Sequence, residues 1–242
     1  MKITVITIVY NDVDNIESTL LSVINQTYKD IEYIVIDGGS TDGTVDIIRK
    51  YASRINYWVS ESDKGIYDAM NKGLFVATGE WICFMNSGDT FVSDSTIENC
   101  FKTPIPLNVG VLYGQTFYKK AGKNILKANS PLHTISYKTP FCHQSTFIKN
   151  NGKKIIFDLK YRIAADYALL YNLYYEKGKS FFQEINEVVA IYDADDGISK
   201  NPKYKYELQK ERLKIRNVHR NVRWYYDFIK MTIKILLNKT TL

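Results

Sequence analysis

The stretch Ile31-Glu32-Tyr33-Ile34-Val35-Ile36-Asp37-Gly38-Gly39-Ser40-Thr41-Asp42-Gly43 decides the fold class. A short β-branched run stops on an acid and passes into a turn rich in Gly, Ser and Asp. The same kind of run recurs at Ile3–Val9, Tyr57–Ser60 and Trp81–Met85. Between these lie helix-like segments, roughly Asn15–Asn25, Thr44–Ala52 and Ile66–Ala77. Ile16, Leu20, Val23 and Ile24 make one apolar face in the first, and Val45, Ile48 and Ala52 one in the second. A βαβαβαβ order with near-continuous apolar strands predicts an α/β fold: an open, mostly parallel sheet with helices on both faces and right-handed crossovers.

Each of the later strands ends in acid. Strand two runs into Asp37, strand three into Ser60-Glu61-Ser62-Asp63-Lys64-Gly65, and strand four into Asn86-Ser87-Gly88-Asp89. Ligands of open parallel sheets bind beyond the carboxyl ends of the strands, where strand order reverses. Asp37, Asp63 and Asp89 are therefore expected to converge. Clustered carboxylates need a counter-charge, which a hard cation such as Mg²⁺ or Mn²⁺ supplies together with substrate phosphates. There is no Walker A motif and no Gly-x-Gly-x-x-Gly after the first strand. The remaining expectation is a nucleotide held by carboxylates and backbone, its diphosphate on a metal. Local roles compete with this reading: Asp42 as turn or cap, Asp12 and Asp14 as helix starters, and Asp89 with Asn86 as an Asx-turn.

After Asp94 the rhythm changes. Val109–Lys119 and Asn124–Ala128 flank Ala121-Gly122 and suggest a hairpin, 164–176 reads as a helix, and Glu187–Tyr192 reads as a last strand. The chain of 242 residues, 45% apolar and 24% charged, is ordinary globular material, which excludes a disordered or disulfide-stapled class. Cys83, Cys100 and Cys142 form no C-x-x-C, which points away from a zinc ribbon or redox pair. Met1 runs straight into a strand, and no apolar stretch approaches the ~18–20 residues of a membrane span, so no signal peptide and a cytoplasmic location are expected.

These motifs together resemble the family 2 glycosyltransferases. The matching pieces are Thr4-Val5-Ile6-Thr7-Ile8-Val9-Tyr10-Asn11, Ser22-Val23-Ile24-Asn25-Gln26-Thr27-Tyr28, 34–44, 60–73 and Ala77-Thr78-Gly79-Glu80-Trp81. The likeness is near-continuous over 1–95 and patchier to about 200. It is greatest to members that build bacterial surface polysaccharides. The resemblance implies the GT-A fold, with a catalytic domain over 1–200 (a nucleotide-sugar-binding half, 1–95, and an acceptor-side half, 96–200). It implies an inverting transfer from a UDP-sugar to a saccharide or lipid-linked saccharide. Donor contacts would come from Thr7, Val9, Tyr10, Asn11, Asp37, Gly38, Asp63, Lys64, Gly65, Asn71, Asn86, Ser87 and Gly88. The family's Asp-x-Asp motif falls on Ser87-Gly88-Asp89, lacks its first acid here, and leaves Asp89 as metal ligand for Mg²⁺ or Mn²⁺. Asp166 in Ala164-Ala165-Asp166-Tyr167 matches the general base, with a helix N-cap as the alternative. His143 and Gln144 in Phe141-Cys142-His143-Gln144-Ser145, and Ser199 in Asp196-Gly197-Ile198-Ser199, would meet the acceptor or diphosphate.

The net charge of +6 is uneven. Residues 200–242 carry twelve Lys/Arg against three Asp/Glu. Over 201–242 we expect a basic amphipathic helical tail, in which Lys230, Lys234 and Asn238 share one face and Ile229, Ile233, Leu236 and Leu237 another. Peripheral attachment to the cytoplasmic face of the inner membrane is favoured slightly over packing on protein. Oligomerisation stays open, and no nucleic-acid partner is expected. Two other functions compete: a non-catalytic nucleotide-sugar binder and a nucleic-acid-binding module using the tail.

Overall fold

A computed structural model describes residues 1–150, 155–194, 204–217, 224–230 and 233. The first half alternates as expected: β1 (Ile3–Val9), α1 (Ile16–Ile24), β2 (Ile31–Asp37), α2 (Thr44–Lys50), β3 (Tyr57–Ser60), α3 (Ile66–Val76) and β4 (Trp81–Phe84). These strands pair in parallel in the order β3-β2-β1-β4. Side chains alternate between the two faces of the sheet. Val5, Tyr33, Val35, Trp81 and Cys83 pack under α1 and α2, with Leu20, Val23 and Ile48. Ile6, Ile8, Ile34, Ile36, Ile82 and Phe84 pack under α3, with Tyr67, Ala69 and Met70. Both faces are covered, which is why the strands are apolar throughout. Each fully buried aliphatic or aromatic side chain contributes about 1.5–3 kcal/mol relative to an exposed one.

From β1 the chain moves outward through β2 to β3, then returns to β4 on the other side of β1. The strand order therefore reverses at β1, and the carboxyl ends of β1 and β4 flank the crevice where a ligand is expected.

The second half adds β5 (Thr90–Phe91), α4 (Thr96–Cys100), β6 (Val111–Lys120), β7 (Lys123–Lys127), β8 (Thr146–Lys149), α5 (Ala165–Lys177), β9 (Phe182–Asp193) and α6 (Lys205–Arg216). The sheet continues as β4-β8-β6-β9-β5, with β7 paired to β6 in the expected hairpin. This half is mixed: β8 runs antiparallel to both β4 and β6, while β6 and β9 are parallel. Strand β9 begins at Phe182, earlier than its apolar core suggested. Among the described residues its only strand partner beyond β6 is the two-residue β5, which leaves room for Glu184 and Glu187 along its other edge.

Helix α6 is seated on the body rather than hanging from it. Ile215 joins the core formed by Val111, Ile148, Tyr167, Leu170 and Tyr171, and Leu208 packs against that core. Further on, the buried Trp224 donates its indole N–H to Leu213 O at 3.0 Å. Within the stretch expected as a tail from 201 onward, 205–216 thus packs on the body. Among the described residues no helix is long and apolar enough to cross a membrane.

Candidate active site

A cleft of about 970 Å³ opens at the carboxyl ends of β1 and β4 and is closed on its far side by α5 and α6. Local turn chemistry builds the near wall. Asn11 sits in the left-handed region (φ 48°). Its N–H donates to Ser40 Oγ at 2.7 Å, and its side-chain oxygen accepts the Thr41 N–H at 2.9 Å. The loop after β1 is thereby tied to the loop after β2. Asp42 caps the start of α2 through the Thr44 N–H and hydroxyl, and also accepts the Val13 N–H. The turn reading of Asp42 describes what it does.

Asp37 ends β2 in register with Val9 and Ser60. It is fully buried. One oxygen accepts the N–H groups of Gly39 and Ser40 and the Ser60 hydroxyl, and the other accepts the Ser40 hydroxyl. It does not reach the cleft surface, and a nucleoside contact would have to displace one of these bonds. Next to it, a Cβ on Gly38 would stand 2.6 Å from Asp63 Oδ2. Only glycine allows the Asp63 carboxylate to lie against this loop. Asp63 lines the cleft and accepts the Gly65 N–H at 2.7 Å.

The loop after β4 carries the second acidic group. Gly88 has φ 90°, where glycine is at ease and other residues are strained. Its N–H donates to Thr19 Oγ1, and a Cβ there would lie 3.7 Å from Asp193 Cβ and 4.0 Å from Asp12 Oδ2. Asp12, Asp89 and Asp193 all line the cleft. Ser87 donates its hydroxyl to Asp12 Oδ2 at 2.6 Å, and the Asp193 N–H donates to Asp89 Oδ1 at 2.9 Å. Burial pushes the Asp89 carboxyl up to about 8. The Asp193 N–H offsets part of this, while the carboxylates of Asp193 and Asp12 add to it. Asn86 Oδ1, in the same wall, is buried with no hydrogen-bond partner among the described residues.

This is an oxygen-only donor set around a desolvated carboxyl, with Lys119 Nζ 3.5 Å from Asp193 Oδ2 at its edge. It fits a hard divalent cation. Among the described residues no group of three His, Cys, Asp or Glu side chains is placed to hold a metal ion. A diphosphate and water would therefore have to supply most of the shell, as is usual for Mg²⁺.

The far wall holds Asp166, in the first turn of α5. Tyr67, from α3, places its hydroxyl 2.9 Å from Asp166 Oδ1 and 2.9 Å from Ile163 O. Asp166 Oδ2 has no hydrogen bond among the described residues, and the residue lines the cleft. Between the walls, His143 stacks on Phe84 (5.1 Å) and meets Phe157 edge-on (5.8 Å). Its Nε2 is buried without a partner. Burial pushes the imidazole below its ordinary value, against the opposing influence of Asp166.

Of the residues expected from sequence, Val9, Tyr10, Asn11, Asp63, Gly65, Asn86, Ser87, Gly88, Asp89, His143, Gln144 and Asp166 share this one cleft. Thr7, Asp37, Gly38, Lys64 and Asn71 do not line it. Thr7 is fully buried and bonds Met85 O and the Tyr33 hydroxyl. Lys64 uses its N–H on Asp68 at the start of α3, and its side chain is exposed. Asn71 clamps the backbone of Phe157 through both amide atoms. These residues brace the wall instead of forming its surface. Ser199 and its loop lie outside the described residues. Asp12, Asp193, Tyr67 and Arg212 line the cleft without having been singled out as site residues. Asp193 carried a readable signal, because it closes an apolar strand as Asp37 does.

A family model described as Glycosyl transferase family 2 matches residues 4–171. An uncharacterized glycosyltransferase of Mycobacterium tuberculosis is 33% identical over 171 residues, covering 68% of this chain and 65% of that protein. A PGL/p-HBAD biosynthesis glycosyltransferase of Mycobacterium bovis is 31% identical over 157 residues, covering 60% of this chain and 59% of that protein. The chain thus spans less than two thirds of the length of these relatives. Among solved structures, S. aureus TarS in complex with UDP superposes with a TM-score of 0.69 at 19% identity, covering 94% of this chain and 68% of that one. Glucosyl-3-phosphoglycerate synthase from M. tuberculosis, in complex with Mn²⁺ and UDP-glucose, gives 0.65 at 14% identity, covering 89% and 79%. At these identities the likeness is one of fold, and the fold is of the GT-A type.

Proposed function

The chain belongs to glycosyl transferase family 2, and on that premise we propose that it moves a sugar, with inversion, from a UDP-sugar to a saccharide or lipid-linked saccharide hydroxyl. One observation carries the reading: Asp63 and Asp89, from the ends of successive strands, face the same cleft as Asp166, whose Oδ2 has no hydrogen bond among the described residues. Neighbours crystallised with UDP, and with UDP-glucose and Mn²⁺, support a uridine nucleotide on the near wall. The relative named for PGL/p-HBAD biosynthesis supports a biosynthetic role for the transfer.

Asp166 Oδ2 takes the proton of the acceptor hydroxyl as that oxygen bonds to the anomeric carbon. The bond from that carbon to the β-phosphate oxygen breaks, and its electron pair leaves with UDP. The Tyr67 hydroxyl on Oδ1 orients the carboxylate and leaves Oδ2 to face the acceptor. Such base catalysis contributes roughly 10²–10⁴-fold. Asp89 would hold a Mg²⁺ or Mn²⁺ ion, which when bound neutralises charge on the departing diphosphate. Asp63, Gly65 and the Val9–Asn11 segment form the nucleoside side of the cleft.

The test is a panel of nucleotide sugars scored for transfer and slow hydrolysis, run on the wild type and on Asp166→Asn. We expect UDP-sugar turnover to fall at least ~100-fold in the variant, with UDP binding within ~2-fold. No turnover of any donor by the wild type would leave a binding protein and remove the enzyme reading.

We further place the reaction on the cytoplasmic face of a membrane. In the helical stretch 224–230 and at 233, Tyr225, Ile229 and Ile233 are each more than half exposed, beside Lys230. Aromatic and aliphatic side chains beside a cation suit an anionic interface. Ile229→Glu with Ile233→Glu should cut sedimentation with anionic vesicles several-fold. Unchanged sedimentation would reject the attachment.

A further inference from the structure

Helix α5 carries the base but has no cap of its own, because its N-cap residue is Ala164, whose side chain cannot accept a hydrogen bond. The N–H groups leading into the helix are satisfied from elsewhere. Arg162 donates to Glu211 Oε1 at 2.7 Å, while Ile163 and Ala164 donate to Glu211 Oε2 at 3.0 and 2.9 Å. Glu211 lies on α6, 47–49 residues away in sequence, and is 7% exposed. A carboxylate buried this far needs compensation. Three N–H bonds and the positive end of α5 supply it.

The same short segment is held from its other side by the Tyr67 hydroxyl at Ile163 O. Asp166 follows Ala164 by two residues. It stands in the first helical turn, the part of a helix that loosens first when its leading N–H groups lose their partners. The inward face of α6 is Leu208, Glu211, Arg212 and Ile215, spaced i, i+3, i+4 and i+7. Leu208 and Ile215 pack toward the core below α5, and Leu208 and Arg212 also line the cleft. Helix α6 lies beyond the stretch matched by the family model.

Resting on the transferase reading above, we propose that Glu211 is the positioning residue of the base: through the backbone of 162–164 it sets where Asp166 meets the acceptor hydroxyl. The C-terminal helix is then part of the active site and not an accessory. A base works only within hydrogen-bond reach of its proton, and misplacement by about 1 Å can cost roughly 100-fold.

The test uses the full chain, with steady-state transfer kinetics, UDP affinity and thermal unfolding for Glu211→Gln and Glu211→Ala. Gln keeps one acceptor oxygen but sets an amide NH₂ against the remaining N–H. Expected is a kcat loss of about 10-fold for Gln and about 100-fold for Ala, with donor KM and UDP affinity within ~2-fold. In the Asp166→Asn background, Glu211→Gln should lower the residual rate by less than ~2-fold, because the group it positions is gone. A brace for the fold alone would lower the unfolding temperature and leave kcat of the folded protein intact, or would cost as much in the Asp166→Asn background as in the wild type. Either result overturns the proposal. Should the Ala variant not fold, Gln carries the test, with amide exchange at 162–164 expected to quicken. Wild-type transfer lost in Asp166→Asn but kept in both Glu211 variants overturns this inference alone. A wild type that turns over no nucleotide sugar overturns the transferase reading as well.

Discussion

The two walls of the cleft are held in different ways. On the near wall, three acids are fixed by neighbours in their own loop or an adjoining one, while Asp89 also leans on the Asp193 N–H, 104 residues further along. Asp37 accepts from Gly39, Ser40 and Ser60, Asp42 from Thr44, and Asp63 from Gly65. On the far wall, Asp166 depends on Tyr67, 99 residues earlier, and its leading segment depends on Glu211, well beyond α5. Locally held groups are in place whenever their strand is. Remotely held groups are in place only when the whole domain has closed. The loops that carry Asp37, Asp42 and Asp63 can therefore form on the first half of the sheet, while the setting of Asp89 and Asp166 needs the chain as far as β9 and α6.

The largest effect should come where the walls meet the leaving group. Asp89→Asn removes the carboxylate at the centre of the acidic cluster, and we expect transfer to fall about 10³-fold, with Mn²⁺ no longer stimulating the residual rate. A variant that retained metal stimulation would show that the cation, if used, sits elsewhere, and would detach Asp89 from the near wall's chemistry. A smaller loss should follow Asp37→Ala, and it should fall on stability. Four donors lose a buried acceptor, which should cost about 2 kcal/mol in denaturant unfolding. An unchanged midpoint would contradict the claim that this acid is a structural knot behind the surface.

The same contrast explains what could be read from the sequence. The alternation of β1 through β4 was readable because each strand is apolar on both faces and each turn announces itself with Gly, Asp or Ser. The placement of Asp89 at the crevice follows from strand order, whereas Asp63, beyond the edge strand β3, reaches it by lying against Gly38 of the loop after β2. Asp37 ends its strand as the sequence suggests, while its carboxylate is buried on its own loop. Nothing in Asp37-Gly38-Gly39-Ser40 tells whether the carboxylate turns inward to its own loop or outward to a ligand. Strand β5 is only two residues long, and β8 follows the punctuated stretch between Pro131 and Ser145 and is defined by its partners β4 and β6. Glu211 was hidden for another reason. Within Lys210-Glu211-Arg212 it looks like one more charge on a solvated basic helix, and only the fold brings the three N–H groups to it.

His143 lies where the two walls join, stacked on Phe84 of β4 and edge-on to Phe157 beyond β8. It offers the gentlest test of how tightly they are joined. Burial holds its pKa in the folded protein below the ordinary value near 6.5. The unfolded chain takes up a proton as pH falls through that value, while the folded chain resists. The linked stability is therefore present above about pH 6.5 and drains as pH falls toward the lowered folded value, with a slope of at most ~1.4 kcal/mol per pH unit for one proton. Other acids titrate over the same range, so the comparison is with His143→Phe, which keeps an aromatic ring between Phe84 and Phe157 and removes the proton site. The wild type should lose more unfolding free energy than this variant between pH 7 and pH 5.5, by up to about 1 kcal/mol. Parallel curves would mean that the imidazole takes its proton as readily in the folded protein as outside it. The seam between the walls would then admit charge and water, and the far wall would be less firmly closed on the near one than the contacts of Phe84, His143 and Phe157 require.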